Sequence, residues 1–278
     1  MNYRHAFHAG NFADLAKHAV LIHILRALTA RAAPLTVIDT HAGAGLYDLE
    51  GDEARRTGEA GVDALMDGSD APAAFDDLKA AIRRVNGKGG RRYYPGSPLL
   101  IAEALRPRDR YLACELRADD HAALKGALPR QAGAEVLKAD GWRIAVERTP
   151  AAPAGLLLFI DPPFERPDDH ARALAVAAKA LRRNPAAVIV IWLPIKDLTG
   201  FDDFLGRAED VAGRKPILTA QTRLRPLIDP MTMNGSALVV VNPPPGLEAS
   251  ARTIVEWVSQ TFGGAGGAGR VTVSSVCA

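Results

Sequence analysis

The sequence predicts an α/β fold built on a mostly parallel sheet, with an antiparallel edge strand and a helical insertion after the first strand. Three observations predict it. Short apolar, β-branched runs alternate with helical stretches, the pattern of parallel strands covered on both faces. Four of those runs end in an acid, at Asp39, Glu115, Asp140 and Asp161. The chain has 278 residues, 48% of them apolar, enough to bury one large core. Aromatics are 6%, so Ala, Leu and Val must do most of the packing.

Residues 11–30 read as a helix, because Leu15, Ala19, Ile22, Leu25 and Leu28 recur at steps of three and four and Asn11 stands ready as N-cap. LTVID (35–39) is a strand that runs straight into a Gly turn. The stretch 50–95 breaks the alternation. It offers two helices, 53–67 and 72–85, and no strand, and its charge is split. Residues 50–77 hold nine acids against Arg55 and Arg56, whereas 78–92 hold Lys79, Arg83, Arg84, Lys88, Arg91 and Arg92 without an acid. That basic run, ending in Tyr93 and Tyr94, reads either as a phosphate-contacting surface with a ring to stack on a base or as a solvated helix face.

The alternation then resumes. Strands are predicted at 110–115, 134–140, 155–161 and 186–194, with helices at 117–128, 141–148 and 168–184 between them. KPILTAQTRLRP (215–226) and SALVVVNPP (236–244) read as two strands pairing antiparallel at a sheet edge. A helix over 247–262, a flexible linker at GGAGGAG (263–269) and a last strand at 271–276 complete the chain. One domain over 1–278 is expected, with 50–95 as a helical insertion within it.

Composition excludes several classes. Lys+Arg 34 against Asp+Glu 32 gives a net charge of +2, too small for a binder that works by overall basicity. Cys114 and Cys277 make neither a disulfide framework nor a zinc cluster. His5, His8, His18 and His41 lack metal-ligand spacing, so no metal is expected. The longest apolar run, 186–194, is about half of what spans a bilayer, and MNYRHAFHAG lacks the apolar core of a secretory leader. A cytoplasmic, monomeric protein without a membrane partner is the expectation.

In open parallel sheets, ligands bind where strands end at their carboxyl termini, so four acids at strand ends place a site along one sheet edge. Two motifs sit there. Asp39-Thr-His-Ala-Gly-Ala-Gly45 lets backbone approach a ligand where a Cβ would clash. A dinucleotide fingerprint would need a small residue where Asp48 stands, which disfavours a nicotinamide cofactor. Asp161-Pro162-Pro163-Phe164 is a rigid turn, since each proline fixes its φ and removes an N–H. A carboxylate beside an outward carbonyl can accept both hydrogens of an exocyclic amine, and an aromatic two residues on can stack on a base. Asn242-Pro-Pro-Pro245 imitates this motif without the aromatic.

D-x-H-A-G-A-G followed by D-P-P-F resembles class I S-adenosylmethionine (SAM)-dependent N6-adenine methyltransferases, which have a Rossmann-like fold. YRHAFHAGNFADLAKH (3–18), THAGAG (40–45), RYYPGSP (92–98) and ADG (139–141) resemble more closely the RlmJ family, which modifies one adenine of 23S ribosomal RNA. The resemblance runs from Tyr3 to about Pro244. It implies SAM as cofactor, with Lys17, His18, His41, Gly43 and Ser97 toward its methionine end. It implies Glu115 on the ribose and Asp140 with Gly141 at the adenine. It makes Asp161, with the Pro162 carbonyl and Phe164, the catalytic group, and it puts Tyr3 and Phe164 against the target nucleotide. Phe164 stands where the family pattern has Tyr. Two further readings remain open on the residues alone: a DNA adenine methyltransferase, which shares the same motif, and a non-catalytic RNA-binding protein on this fold.

Overall fold

The computed structural model describes residues 8–50, 61–68, 70–87, 89–128, 133–229 and 231–274. In chain order the elements begin with α1 (Phe12–Thr29), β1 (Leu35–Asp39), β2 (Leu46–Asp48), α2 (Gly61–Asp67), α3 (Asp76–Asn86), β3 (Tyr93–Pro95) and α4 (Ser97–Ala104). Next come β4 (Arg110–Cys114), α5 (Ala118–Ala127), β5 (Ala134–Leu137), α6 (Gly141–Arg148), β6 (Gly155–Ile160) and α7 (Asp169–Arg183). The chain continues through β7 (Val188–Ile195), α8 (Leu198–Ala212), β8 (Ile217–Arg223), β9 (Gly235–Val241), α9 (Leu247–Gly263) and β10 (Ala268–Ser274).

One eight-stranded sheet runs β5-β4-β1-β6-β7-β9-β8-β10. β5, β4, β1, β6 and β7 are mutually parallel. The chain leaves β1 toward β4 and β5 on one side and returns to β6 and β7 on the other. β1 is therefore the switch point, where the crevice of such a sheet opens. The predicted pair β8 and β9 is antiparallel, but β9 is not at the edge: it is inserted between β7 and β8. The edge strand is β10, antiparallel to β8. The glycine-rich stretch 263–269 is not a linker. Gly264–Gly266 form a 3-10 turn, and β10 begins at Ala268.

Side chains alternate across the sheet with the period of two that strands impose. Leu157 and Phe159 of β6 face one hydrophobic cluster, with α1, α4 and α9. Leu156, Leu158 and Ile160 face the other, with α6, α7 and α8. Helix α1 is started by Asn11, whose side chain accepts from the amides of Ala13 and Asp14 at 2.9 and 3.1 Å. Buried on nearly every side from Phe12 to Ile22, it lies as a rigid rod beneath the insertion. Val62 and Leu65 of α2 and Leu78 and Ile82 of α3 join the same cluster as α1. Contrary to the sequence reading, this region contains a strand: β3 pairs antiparallel with β2, Tyr47 opposite Tyr94. The first part of the predicted helix 53–67 and the tip of the predicted last strand lie outside the described residues.

Three arginines of the basic run make ion pairs at the protein surface. Arg91 pairs with Asp63 and Asp67, Arg92 with Asp48, and Arg84 with Glu103. Arg84 lies on α3, whereas Arg91 and Arg92 lie in the loop between α3 and β3. Among the described residues no helix is long and apolar enough to cross a membrane.

Candidate active site

The carboxyl ends of β1, β4, β5 and β6 converge on a cleft of about 880 Å³, and Glu115, Asp140 and Asp161 line it. Asp39, the fourth acid, lies beneath it and is fully buried. The parallel register sets this convergence, with Asp39 opposite Ala113 on one side and Phe159 on the other.

The Gly loop is tied to the next strand. The amide of Ala42 donates to the Cys114 carbonyl at 2.9 Å, and that of Gly43 donates to Glu115 Oε2 at 2.9 Å. Gly43 has φ +69°, and a Cβ there would lie 2.2 Å from the Tyr47 hydroxyl, so this turn requires glycine. Glu115 also accepts the Arg117 amide at 2.8 Å. Burial raises its pKa above the ordinary carboxylate range, against the pull of these donors.

Asp140 caps α6, accepting the Trp142 amide at 2.9 Å, and lies 3.4 Å from Arg172. Gly141 allows that helix to begin against β1, since a Cβ would sit 1.8 Å from the Thr40 carbonyl. His41 stands edge-on to Trp142 with ring centres 4.7 Å apart, its Nδ1 2.8 Å from the Thr40 hydroxyl. Enclosure by protein lowers its pKa to about 3, with the Arg172 charge adding to the effect and Asp140 opposing it. His41 is therefore neutral near pH 7. Ser97 Oγ donates to Asp39 Oδ2 at 3.1 Å and Tyr111 donates to the same oxygen at 3.2 Å. Burial first, and then the charge of Asp161, push Asp39 up to about 7.

The opposite wall belongs to α1. Lys17 Nζ lies 2.7 Å from Asp161 Oδ2 and 2.9 Å from Asp14 Oδ1, and 5.3 Å from the centre of the Trp192 ring. The ammonium is almost fully buried. Burial alone would lower its pKa, but the attraction of Asp14 and Asp161 prevails and its pKa rises above the usual lysine value. His18, also on α1, is buried with Nδ1 2.7 Å from the Tyr94 hydroxyl. After Asp161, the two prolines lead into Phe164, which holds φ +50°, a backbone region that a bulky residue rarely adopts. Its ring lies between His170, at 4.9 Å, and Trp192, at 6.0 Å.

The cleft thus gathers Lys17, His18, His41, Gly43, Ser97, Glu115, Asp140, Gly141, Asp161, Pro162 and Phe164. Tyr3 lies outside the described residues. The imitation motif is elsewhere: β9 runs against β7, so Asn242 lies beside the amino end of β7, at the strand ends away from the cleft, donating to the carbonyls of Pro185 and Ala187. Sequence reasoning missed Asp14, Leu116, Trp142 and Trp192, all of which line the cleft. Asp14 and Lys17, three apart on a helix, carried a local signal for a pair. Leu116 directly follows an acid at a strand end and is 57% exposed, an apolar surface offered to a ligand.

Comparison with known proteins gives a consistent result. The profile of the family described as "Ribosomal RNA large subunit methyltransferase D, RlmJ" matches residues 32–275. The "Ribosomal RNA large subunit methyltransferase J" of Escherichia coli (strain K12) is 33% identical over 276 residues, covering 99% of this chain and 98% of the relative. The protein of the same name from Haemophilus influenzae is 33% identical over 266 residues, 94% of each chain. A crystal structure of a Legionella pneumophila (strain Philadelphia 1) protein superposes with a TM-score of 0.85 at 27% identity, covering 96% of this chain and 98% of that one.

Proposed function

The chain belongs to the RlmJ family of large-subunit ribosomal RNA methyltransferases, and from that premise we propose that it methylates the exocyclic N6 amine of one adenine in 23S ribosomal RNA, using SAM. One observation carries this reading: the Asp161 carboxylate, followed by Pro162, Pro163 and Phe164, is clamped by a buried lysine in the same cleft as the Gly43–Glu115 pocket.

The residues present fit SAM. The cleft is lined by seven acids, Asp14, Glu115, Asp120, Asp140, Asp161, Glu165 and Asp169, against five cations, Lys17, Arg117, Arg166, Arg172 and Lys196, an excess of acid that suits a cationic ligand. Glu115 would hold the ribose hydroxyls. Asp140 and the Gly141 backbone would read the adenine, with Leu116 and Trp142 as apolar walls. His41, Gly43 and Ser97 would meet the methionine end. When bound, SAM supplies a methyl group on an already activated sulfonium.

Lys17 adds a second role to the one the resemblance implies. Two of its three ammonium donors engage Asp14 and Asp161, so it positions the catalytic carboxylate and keeps one donor for the methionine end of the cofactor. Paired this way, Asp161 acts as a hydrogen-bond acceptor and not as a strong base. None is needed, because the amine proton becomes acidic only as nitrogen bonds to carbon. Asp161 and the Pro162 carbonyl accept hydrogen bonds from the two amine hydrogens, which draws the nitrogen toward tetrahedral geometry and aims its lone pair; as nitrogen bonds to the methyl carbon, one N–H bond breaks and its proton passes through Asp161 to solvent. Phe164 holds the base by stacking on one face, with Trp192 packed beside it. Catalysis is then mainly a matter of position. The adenine must first leave its stack, at a cost of a few kcal/mol. Residues 50–95 act as an insertion within one catalytic unit of 1–278, a reading supported by their shared hydrophobic cluster.

The test is mass spectrometry of ribosomal RNA fragments from cells with and without this protein. One 23S fragment is expected to carry an additional methyl, on adenine N6, only when the protein is present. Identical spectra, or a methyl on another atom, would overturn the proposal.

A further inference from the structure

We propose that the cavity behind Phe164 is a second nucleobase pocket, which takes a nucleotide adjacent to the target adenine and so reads the RNA sequence around it. The inference rests on the reading of the chain as an RNA adenine methyltransferase and deepens it. The cavity, of about 280 Å³, opens beside the main cleft and shares Phe164 with it as a wall. The left-handed backbone at Phe164 turns its ring into a partition, with Trp192 on the target side and His170 on the other.

The second cavity is built from rings. His170 packs on Phe204 with centres 5.4 Å apart, and Phe201 and Phe204, both buried, form its floor. Ligand pockets usually measure about 300–1,000 Å³, so this one suits a single flat heterocycle and not a whole nucleotide. Rings on several sides stack a base with little regard to its identity. The half-buried His170 side chain makes no hydrogen bond among the described residues and offers a ring nitrogen to the edge of a base. Burial lowers its pKa, which keeps the imidazole neutral near pH 7.

The rim names the occupant. Arg166 and Lys196 line both cavities and both are exposed. Among the described residues Arg166 has one ion pair, an exposed one 3.2 Å from Asp168. A phosphodiester joining a base in one pocket to a base in the next would pass these two cations. Glu165, the acid on the shared rim, is exposed and supplies an acceptor for base amino groups. A free aromatic metabolite would fill the ring-lined cavity, but it would leave the shared cations without a function.

The experiment is steady-state methyl transfer to a ribosomal RNA hairpin containing the modified adenine, with the nucleotide on each side replaced in turn by an abasic residue. One replacement is expected to raise KM on the order of tenfold, the loss of one stacked base, while kcat at saturating RNA stays within about twofold. His170→Ala is expected to raise KM for the intact hairpin by a similar factor without changing SAM affinity. The same abasic residue should then add nothing further, since both changes remove one interaction. Lys196→Ala, at an exposed position where folding is not at risk, should raise KM in a salt-dependent manner. Two abasic hairpins with unchanged KM, or losses that multiply in the His170→Ala enzyme, would overturn the second pocket alone. No transfer to any hairpin would overturn the reading beneath it, and the pocket with it.

Discussion

Replacing Lys17 by Met removes the buried cation that holds the catalytic carboxylate. Lys17 and Asp14 are 3% and 2% exposed, and Asp161 is 14% exposed. Breaking a buried pair by deleting one partner costs about 3–5 kcal/mol, because the surviving charge is stranded. Here two carboxylates are stranded, but both are partly compensated. Asp14 keeps the Gly10 amide at 2.9 Å, and Asp161 keeps some access to water. The low end of the range applies, about 3 kcal/mol, a large share of a typical total of about 5–15 kcal/mol. Methionine preserves the length and the contact with Trp192, so lost packing adds little. Urea unfolding followed by far-UV circular dichroism at pH 7.5 measures the loss. Without its clamp Asp161 also loses its fixed orientation, and misplacement of a reacting group by about 1 Å costs on the order of 10²-fold in rate. Stability within about 1 kcal/mol of wild type, together with an unchanged kcat, would refute the clamp.

Two other perturbations address separate parts of the site. Glu115→Ala removes the acceptor of the Gly43 and Arg117 amides along with the ribose partner. Hydrogen bonds to a charged group are worth about 1.5–3 kcal/mol, so calorimetry should show SAM binding weakened roughly ten- to a hundredfold; unchanged affinity would move the ribose site elsewhere. Asp39→Asn tests the buried acid. In the fold Asp39 titrates near 7, against about 3.9 unfolded, so its contribution to stability is full below about pH 4 and is lost as pH rises through about 7. His41, whose pKa falls to about 3, behaves in the opposite sense: its contribution is full above about pH 6.5 and is lost as pH falls through that lower value. The variant should therefore gain on wild type between about pH 4 and 7, by up to ~1.4 kcal/mol per pH unit. Urea unfolding across that range reads the difference between the two proteins, in which the His41 contribution cancels; a flat difference would contradict the assignment.

What the sequence made legible follows from local physics. Apolar steps of three and four located α1, and α6 begins and ends where its helix was expected. Acids at the ends of apolar runs became one sheet edge because parallel strands point the same way. Other features were encoded but passed over. Phe201, Phe204, Ala208 and Ala212 are spaced as the buried face of α8, although Gly200 and Gly206 weaken the helical signal. β9 is buried along its whole length, and an unbroken apolar run marks an interior strand rather than an edge. The contact of Lys17 with Asp161 had no local signal, since 144 positions separate them and only the folded sheet brings them together. The same holds for the basic run, whose arginines find acids 24 and 44 positions away.

The most direct test of the central claim is Asp161→Ala, assayed for methyl transfer to ribosomal RNA and, separately, for SAM binding by calorimetry. Lys17 retains Asp14 in this variant, so the fold should persist. The account predicts that transfer is abolished while SAM affinity stays near that of wild type. Substantial transfer by the variant would contradict it.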